Sequence, residues 1–212
     1  MDLYSFFNSS TSYRVRIALA LKGVDFDPKP VDIRAGRHQA PGYLEKNPAA
    51  GVPLLDDGGF LLGQSLAIID YLDAKYPEPR LIPQDSRQRA RVLEMADLVA
   101  CDMHPLNNKR VLQYLERYLG AGEAALRAWY GHWIAEGFRG LEKLLERAGS
   151  GQYSFGGQVS LADCCLVPQV ANAQRMACDL SEYPRIMAVY EHCCGLPAFR
   201  QAAPSAQPDY IA

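Results

Sequence analysis

Eight residues, Tyr76-Pro77-Glu78-Pro79-Arg80-Leu81-Ile82-Pro83, carry three prolines and divide the chain into stretches of different grammar. Proline lacks an N–H and its ring clashes with the preceding helical turn, so no helix continues through this segment. Before it, short apolar runs alternate with helix-like segments. Residues 3–7 read as a buried strand, 12–22 as a helix, 26–31 as a second strand and 38–46 as a short helix. Gly51-Val52-Pro53-Leu54-Leu55 then reads as a strand with proline near its start, and Asp57-Gly58-Gly59 as a hairpin turn into Phe60-Leu61-Leu62. Ser65 is the expected cap of a helix over 66–76, whose Leu66, Ile69 and Leu72 share one face. The order βαβαββα puts a parallel βαβ unit beside an antiparallel hairpin in one small α/β sheet.

Beyond the prolines every long segment is helical in character: 86–118, 123–147, 160–176, 183–194 and a short piece at 198–202. Pro105 predicts a break near His104, and Pro168 a bend in its helix. Ser160-Leu161-Ala162-Asp163 has the form of a capping box, which makes Asp163 structural rather than catalytic. A chain of 212 residues suits two domains with their own cores, 1–83 and 84–212, the second all-helical.

The stretch Asn8-Ser9-Ser10-Thr11-Ser12-Tyr13-Arg14-Val15-Arg16 lies where the first strand hands over to the first helix. A helix start offers unpaired N–H groups and the positive end of its dipole, where an anion is stabilised. One hydroxyl serves as the N-cap, and four in a row exceed what a cap needs.

Net charge is −2 with no Lys/Arg run, which points away from nucleic acid and anionic membrane surfaces and toward small-molecule or protein partners. No signal peptide and no apolar run of ~18 residues is present, so a cytoplasmic protein is expected. The six cysteines, none of them before Cys101, show neither C-x-x-C nor paired Cys/His spacing. No metal and no disulfide is expected, only small buried thiols. With no cysteine before Cys101, thiol chemistry near the hydroxyls requires a thiol carried by a ligand.

Ser9-Ser10-Thr11-Ser12-Tyr13-Arg14-Val15-Arg16-Ile17-Ala18-Leu19 resembles the active-site signature of zeta-class glutathione transferases, whose usual form has Cys at position 11 and Trp at 13. Gln64-Ser65-Leu66-Ala67-Ile68-Ile69-Asp70-Tyr71-Leu72, Leu166-Val167-Pro168-Gln169-Val170-Ala171-Asn172-Ala173 and the tail from Ala202 to Asp209 extend the likeness over essentially the whole chain. The resemblance implies a thioredoxin-like N-terminal domain, an all-helical C-terminal domain, glutathione as cofactor and a homodimer. It also implies isomerisation of a maleyl keto-diacid, maleylacetoacetate or maleylpyruvate, in the degradation of aromatic compounds.

The same resemblance places Ser9, Ser10 and Thr11 around the glutathione sulfur. Hydroxyl donors and a helix N-terminus lower a thiol pKa, which agrees with that placement. Val52 would pair through its backbone with the cysteinyl part at a cis-Pro53 turn, and Gln64 and Ser65 would hold the γ-glutamyl carboxylate. His38 and Asn108 are the candidates for the glycyl carboxylate. His104 either lines the site or is hydrogen-bonded structure, and Asp102 is a candidate for the ligand's ammonium across a dimer interface. Arg175 is the expected anchor of the acidic substrate, with Arg110 a second. Asn8 stands where family members often carry arginine, and Met176 leaves Arg175 without a paired arginine. Two rival readings use the same fold: a transferase or dehalogenase acting on α-halo acids, and a non-catalytic glutathione-binding or interaction module.

Overall fold

The computed structural model describes residues 1–211 and divides into two compact units. In chain order the elements are β1 (Asp2–Ser5), α1 (Ser10–Leu21), β2 (Asp27–Pro30), α2 (Pro41–Leu44), β3 (Leu54–Asp57), β4 (Phe60–Gly63) and α3 (Ser65–Lys75). They continue with α4 (Ser86–Asp97), α5 (Lys109–Leu119), α6 (Glu123–Ala148), α7 (Leu161–Arg175), α8 (Pro184–Cys194) and α9 (Pro197–Ala202).

The first unit comprises Met1–Leu81 and the segment from Cys194 on. Its four strands lie in the order β2-β1-β3-β4, with β1 and β2 parallel and the other pairs antiparallel. Pro28 and Pro30 are tolerated because β2 is an edge strand, where a missing N–H breaks no inner ladder. Leu3, Leu54 and Leu55 on the sheet and Val15, Ile17, Leu19, Ile68, Ile69 and Leu72 on α1 and α3 are buried and form its core. The mixed sheet matches the expected thioredoxin-like arrangement.

The segment from Cys194 on, read in sequence with the helical half, packs on α1 instead. Arg16 explains this. Its guanidinium, 1% exposed, donates to Ala202 O at 2.9 Å and to Phe7 O at 3.0 Å, with a longer contact to Phe6 O. Burial pulls its pKa down to about 10, partly offset by Asp209. Tyr13 Oη donates to Phe199 O, and the Asp209 carboxylate accepts from Phe7 N at 2.9 Å.

The second unit spans Ile82–Cys193 and is helical. The helix expected over 86–118 is two helices. After α4 the chain widens into a π-helical turn, Leu98–Met103, closed by His104 N to Val99 O, and Pro105 ends it. The break expected at Pro105 is there. The turn packs on α6 at Gly137, where a Cβ would lie 2.3 Å from Met103 Cε. Pro168 lies inside α7, and Glu142 of α6 caps the start of α8 by accepting from Arg185 N and Ile186 N. The capping box is as expected, with Asp163 accepting from Ser154 N, Ser160 N and Ser160 Oγ. No disulfide forms among the described residues; three of the six cysteines are buried, and Cys101 is exposed.

Candidate active site

In the first unit, α1 begins at the hydroxyl cluster. Ser9 is its N-cap, its Oγ accepting from Ser12 N at 3.2 Å. Thr11 Oγ1 donates to Val52 O at 2.8 Å and lies 2.8 Å from Ser9 Oγ. A hydroxyl has one proton, so in the second contact Ser9 is the donor. The chain Ser9–Thr11–Val52 thus has a fixed polarity, and it ties the start of α1 to the peptide before Pro53. That peptide, Val52-Pro53, is cis, as the resemblance implies. The loop before it is fastened further, since Gly51 O accepts from Tyr43 Oη and from Asn47 Nδ2. Tyr43 packs with Val31 and Leu54 in a small cluster that includes Val52. Ser10 is the first residue of α1 and is buried.

The second helix start in this unit is α3. Its N-cap is Gln64, not Ser65, with no side-chain cap bond. Gln64 adopts φ 67°, ψ 115°, a conformation that L-residues rarely take and that is found where a functional site holds it. Ser65 is instead the first helical residue, buried, its Oγ 3.4 Å from Arg14 Nη1. His38, half-buried, sits in the 3-10 turn Arg37–Gln39 ahead of α2.

The remaining candidates lie in the second unit. Asp102 is exposed in the π-helical turn, and His104, half-buried, directly follows it. Asn108 caps α5, its Oδ1 accepting from Arg110 N at 3.1 Å, and Arg110 is exposed. Two bonds fasten this turn to α6: Trp129 Nε1 to Leu106 O and Asn107 Nδ2 to Tyr130 O. Arg175, exposed, is the last residue of α7. Burial pushes the Tyr130 phenol up to about 12, and the Arg175 charge pulls it partly back. Tyr130, on the α6 helix to which the 104–108 turn is fastened, is thus a neutral phenol that senses the Arg175 charge. Tyr130 carries no polar signal in the sequence, whereas Asn107 opens the polar run Asn107-Asn108-Lys109-Arg110, in which only Asn108 and Arg110 are singled out from the sequence.

The chain matches two family models, the glutathione S-transferase N-terminal domain over residues 1–74 and the C-terminal domain over 127–192. The chain belongs to the glutathione S-transferase family. It is 49% identical over 210 residues to a maleylpyruvate isomerase of Ralstonia sp, covering 99% of each chain. A solved structure of a maleylpyruvate isomerase, described as a bacterial zeta-class glutathione S-transferase, superposes with a TM-score of 0.97 at 48% identity over the whole of both chains. A maleylacetoacetate isomerase from Anaeromyxobacter dehalogenans with glutathione bound in its active site gives a TM-score of 0.89 at 38% identity, covering 99% of this chain and 97% of that one. The zeta-class resemblance of the hydroxyl motif thus extends to the fold. In this glutathione S-transferase the donors at the starts of α1 and α3 suit a ligand with a thiol and carboxylates, since each helix start favours an anion.

Proposed function

We propose that this glutathione S-transferase is a glutathione-dependent cis–trans isomerase of a maleyl keto-diacid, acting on maleylacetoacetate or maleylpyruvate in the degradation of aromatic compounds. The observation that carries the reading is the hydroxyl chain Ser9–Thr11–Val52 at the start of α1, beside the cis-Pro53 peptide. The names of the relatives supply the substrate class. When bound, glutathione supplies a thiolate that adds to the cis double bond, lets it turn as a single bond and leaves again.

The residues of this chain do the rest. Ser9, Ser10 and Thr11 surround the sulfur at the α1 N-terminus: Ser10 and the helix N–H groups lower its pKa and hold it as thiolate, while Ser9 and Thr11, whose protons run along the chain to Val52 O, fix the shape of that helix start. The Val52 backbone aligns the cysteinyl part, Gln64 and Ser65 hold the γ-glutamyl carboxylate, and His38 and Asn108 take the glycyl carboxylate. His104 and Asp102 are assigned to the same ligand, Asp102 from a partner subunit. Arg175, supported by Arg110, pairs with a substrate carboxylate and meets negative charge that develops on the keto oxygen.

An ultraviolet assay of both cis diacids, with and without glutathione, tests the reading. Isomerisation that needs glutathione is expected; a rate that is the same without it sinks the proposal. We place the protein in the cytoplasm as a homodimer. No helix among the described residues is long and apolar enough to cross a membrane. Light scattering is expected to give about twice the 23.5 kDa chain mass, and a monomer at micromolar concentration would remove Asp102 from the site.

A further inference from the structure

Helix α1 buries two arginines, Arg14 and Arg16, each 1% exposed, and the structure treats them differently. Arg16 is met by three backbone carbonyls. Arg14 makes one long contact, Nη1 to Ser65 Oγ at 3.4 Å, while its Nε and Nη2 are buried without a hydrogen-bond partner among the described residues. A guanidinium is charged at any physiological pH, and burying it with unmet N–H groups is costly unless an anion compensates. Ser65 opens α3, an 11-residue helix whose dipole and N–H groups favour an anion at this end. Because Ser65 Oγ accepts from Arg14, its own proton is directed elsewhere, toward whatever occupies the α3 start. The unusual backbone of Gln64 lies at the same place.

We infer that Arg14 is a positioning residue for glutathione: it orients and polarises the Ser65 hydroxyl and supplies the buried counter-charge for the γ-glutamyl carboxylate. The inference rests on the reading that this carboxylate docks at Gln64 and Ser65. It adds a cation to a cradle otherwise made of a hydroxyl, an amide side chain and backbone N–H groups.

Calorimetric titration of the whole protein with two ligands tests it. One is glutathione; the other is 4-aminobutanoyl-cysteinylglycine, which lacks only the γ-glutamyl carboxylate. In the unaltered protein, loss of the carboxylate is expected to weaken binding about ten- to a hundredfold, the strength of a charge-assisted contact. In Arg14→Met the carboxylate penalty is expected to shrink several-fold without vanishing, because the cation is gone while Ser65, Gln64 and the α3 N–H groups remain. A purely structural Arg14 would weaken both ligands by the same factor, and an undiminished carboxylate penalty in Arg14→Met overturns the assignment. If Arg14→Met does not fold, Arg14→Lys decides. Its compact ammonium keeps the charge but not the fork, so a penalty between the two extremes is expected, and one equal to that of the unaltered protein overturns the role of the guanidinium. Equal binding of both ligands to the unaltered protein removes the carboxylate from this cradle and leaves glutathione binding standing; binding of neither removes the glutathione reading itself.

Discussion

Asp163→Asn isolates what a single buried carboxylate does for the helix that ends in Arg175. Asp163 is fully buried; one of its oxygens accepts from Ser154 N at 2.7 Å, the other from Ser160 N at 2.7 Å and Ser160 Oγ at 3.0 Å. Asparagine is nearly isosteric but turns one acceptor into an NH2 donor. Whichever way the amide lies, at least one buried backbone N–H then faces a donor, because Ser160 Oγ can reverse its role and an N–H cannot. An orphaned buried N–H costs ~1–3 kcal/mol, and the loss of charge assistance in the surviving bond adds ~1 kcal/mol, so a total of ~2–4 kcal/mol is expected. Ser160→Ala removes one hydroxyl bond and an N-cap at ~1 kcal/mol, whereas Asp163→Ala removes all three acceptor contacts and leaves a cavity. The expected order of loss is Ser160→Ala, then Asp163→Asn, then Asp163→Ala. Both tryptophans, Trp129 and Trp133, lie on α6 in the same unit, so urea unfolding followed by their fluorescence reports on it. An Asp163→Asn midpoint within ~0.5 kcal/mol of the unaltered protein, or a Ser160→Ala loss as large as that of Asp163→Asn, would refute the reasoning. Glutathione affinity, which the proposal assigns largely to the first unit, is expected to stay close to that of the unaltered protein at low urea.

Ser10→Ala, and to a smaller degree Ser9→Ala, is expected to raise the pKa of bound glutathione and slow turnover by on the order of 10²-fold. Ultraviolet titration of the thiolate checks this, and unchanged values in both variants would show that the sulfur sits elsewhere; Thr11→Cys, which restores the usual family residue, should be tolerated. Arg175→Ala is expected to lower kcat/KM by about one to two orders of magnitude at nearly constant glutathione affinity, the value of a charge-assisted carboxylate pair, with Arg175→Lys recovering part. Weakened glutathione binding with unimpaired turnover would move Arg175 to the cofactor site and place the acidic substrate elsewhere, with Arg110 the first residue to test. Lys75 first and Tyr71 second, both on α3, hold the carboxyl of Asp57 at the end of β3 below its usual range. A depressed carboxylate stabilises above its unfolded pKa and loses that contribution as pH falls through the folded value, so this share of stability should be present at neutral pH and drain away in acid below ~3.9. Lys75→Met should flatten the acid limb of a stability–pH curve, and an unaltered limb would count against the pair.

What could be read in the sequence was local, and what escaped was set by distant partners. Periodicity and proline placed the strands, α1, α3 and the interruption at Pro105, because a missing N–H or a repeating apolar face acts within one turn of chain. The capping box at Ser160 was legible for the same reason: both partners lie within four residues. Ser65 reads as a cap of α3 by its type, yet its oxygen is engaged by Arg14, 51 residues away, and the helix starts on the left-handed backbone of Gln64, which residue type does not encode. The segment from Cys194 on looked like a continuation of the helical half. Its attachment to the first unit rests on hydrogen bonds from Tyr13 and Arg16 that span 186 residues, beyond any window of pattern. At the candidate site the hydroxyls were visible, but not the direction of their protons, which follows only once Val52 O is seen to take the proton of Thr11. Arg14 and Arg16 make the point most sharply. They are the same residue type two positions apart on one buried helix, and only their surroundings separate a guanidinium tied to three carbonyls from one with two buried nitrogens that make no hydrogen bond among the described residues.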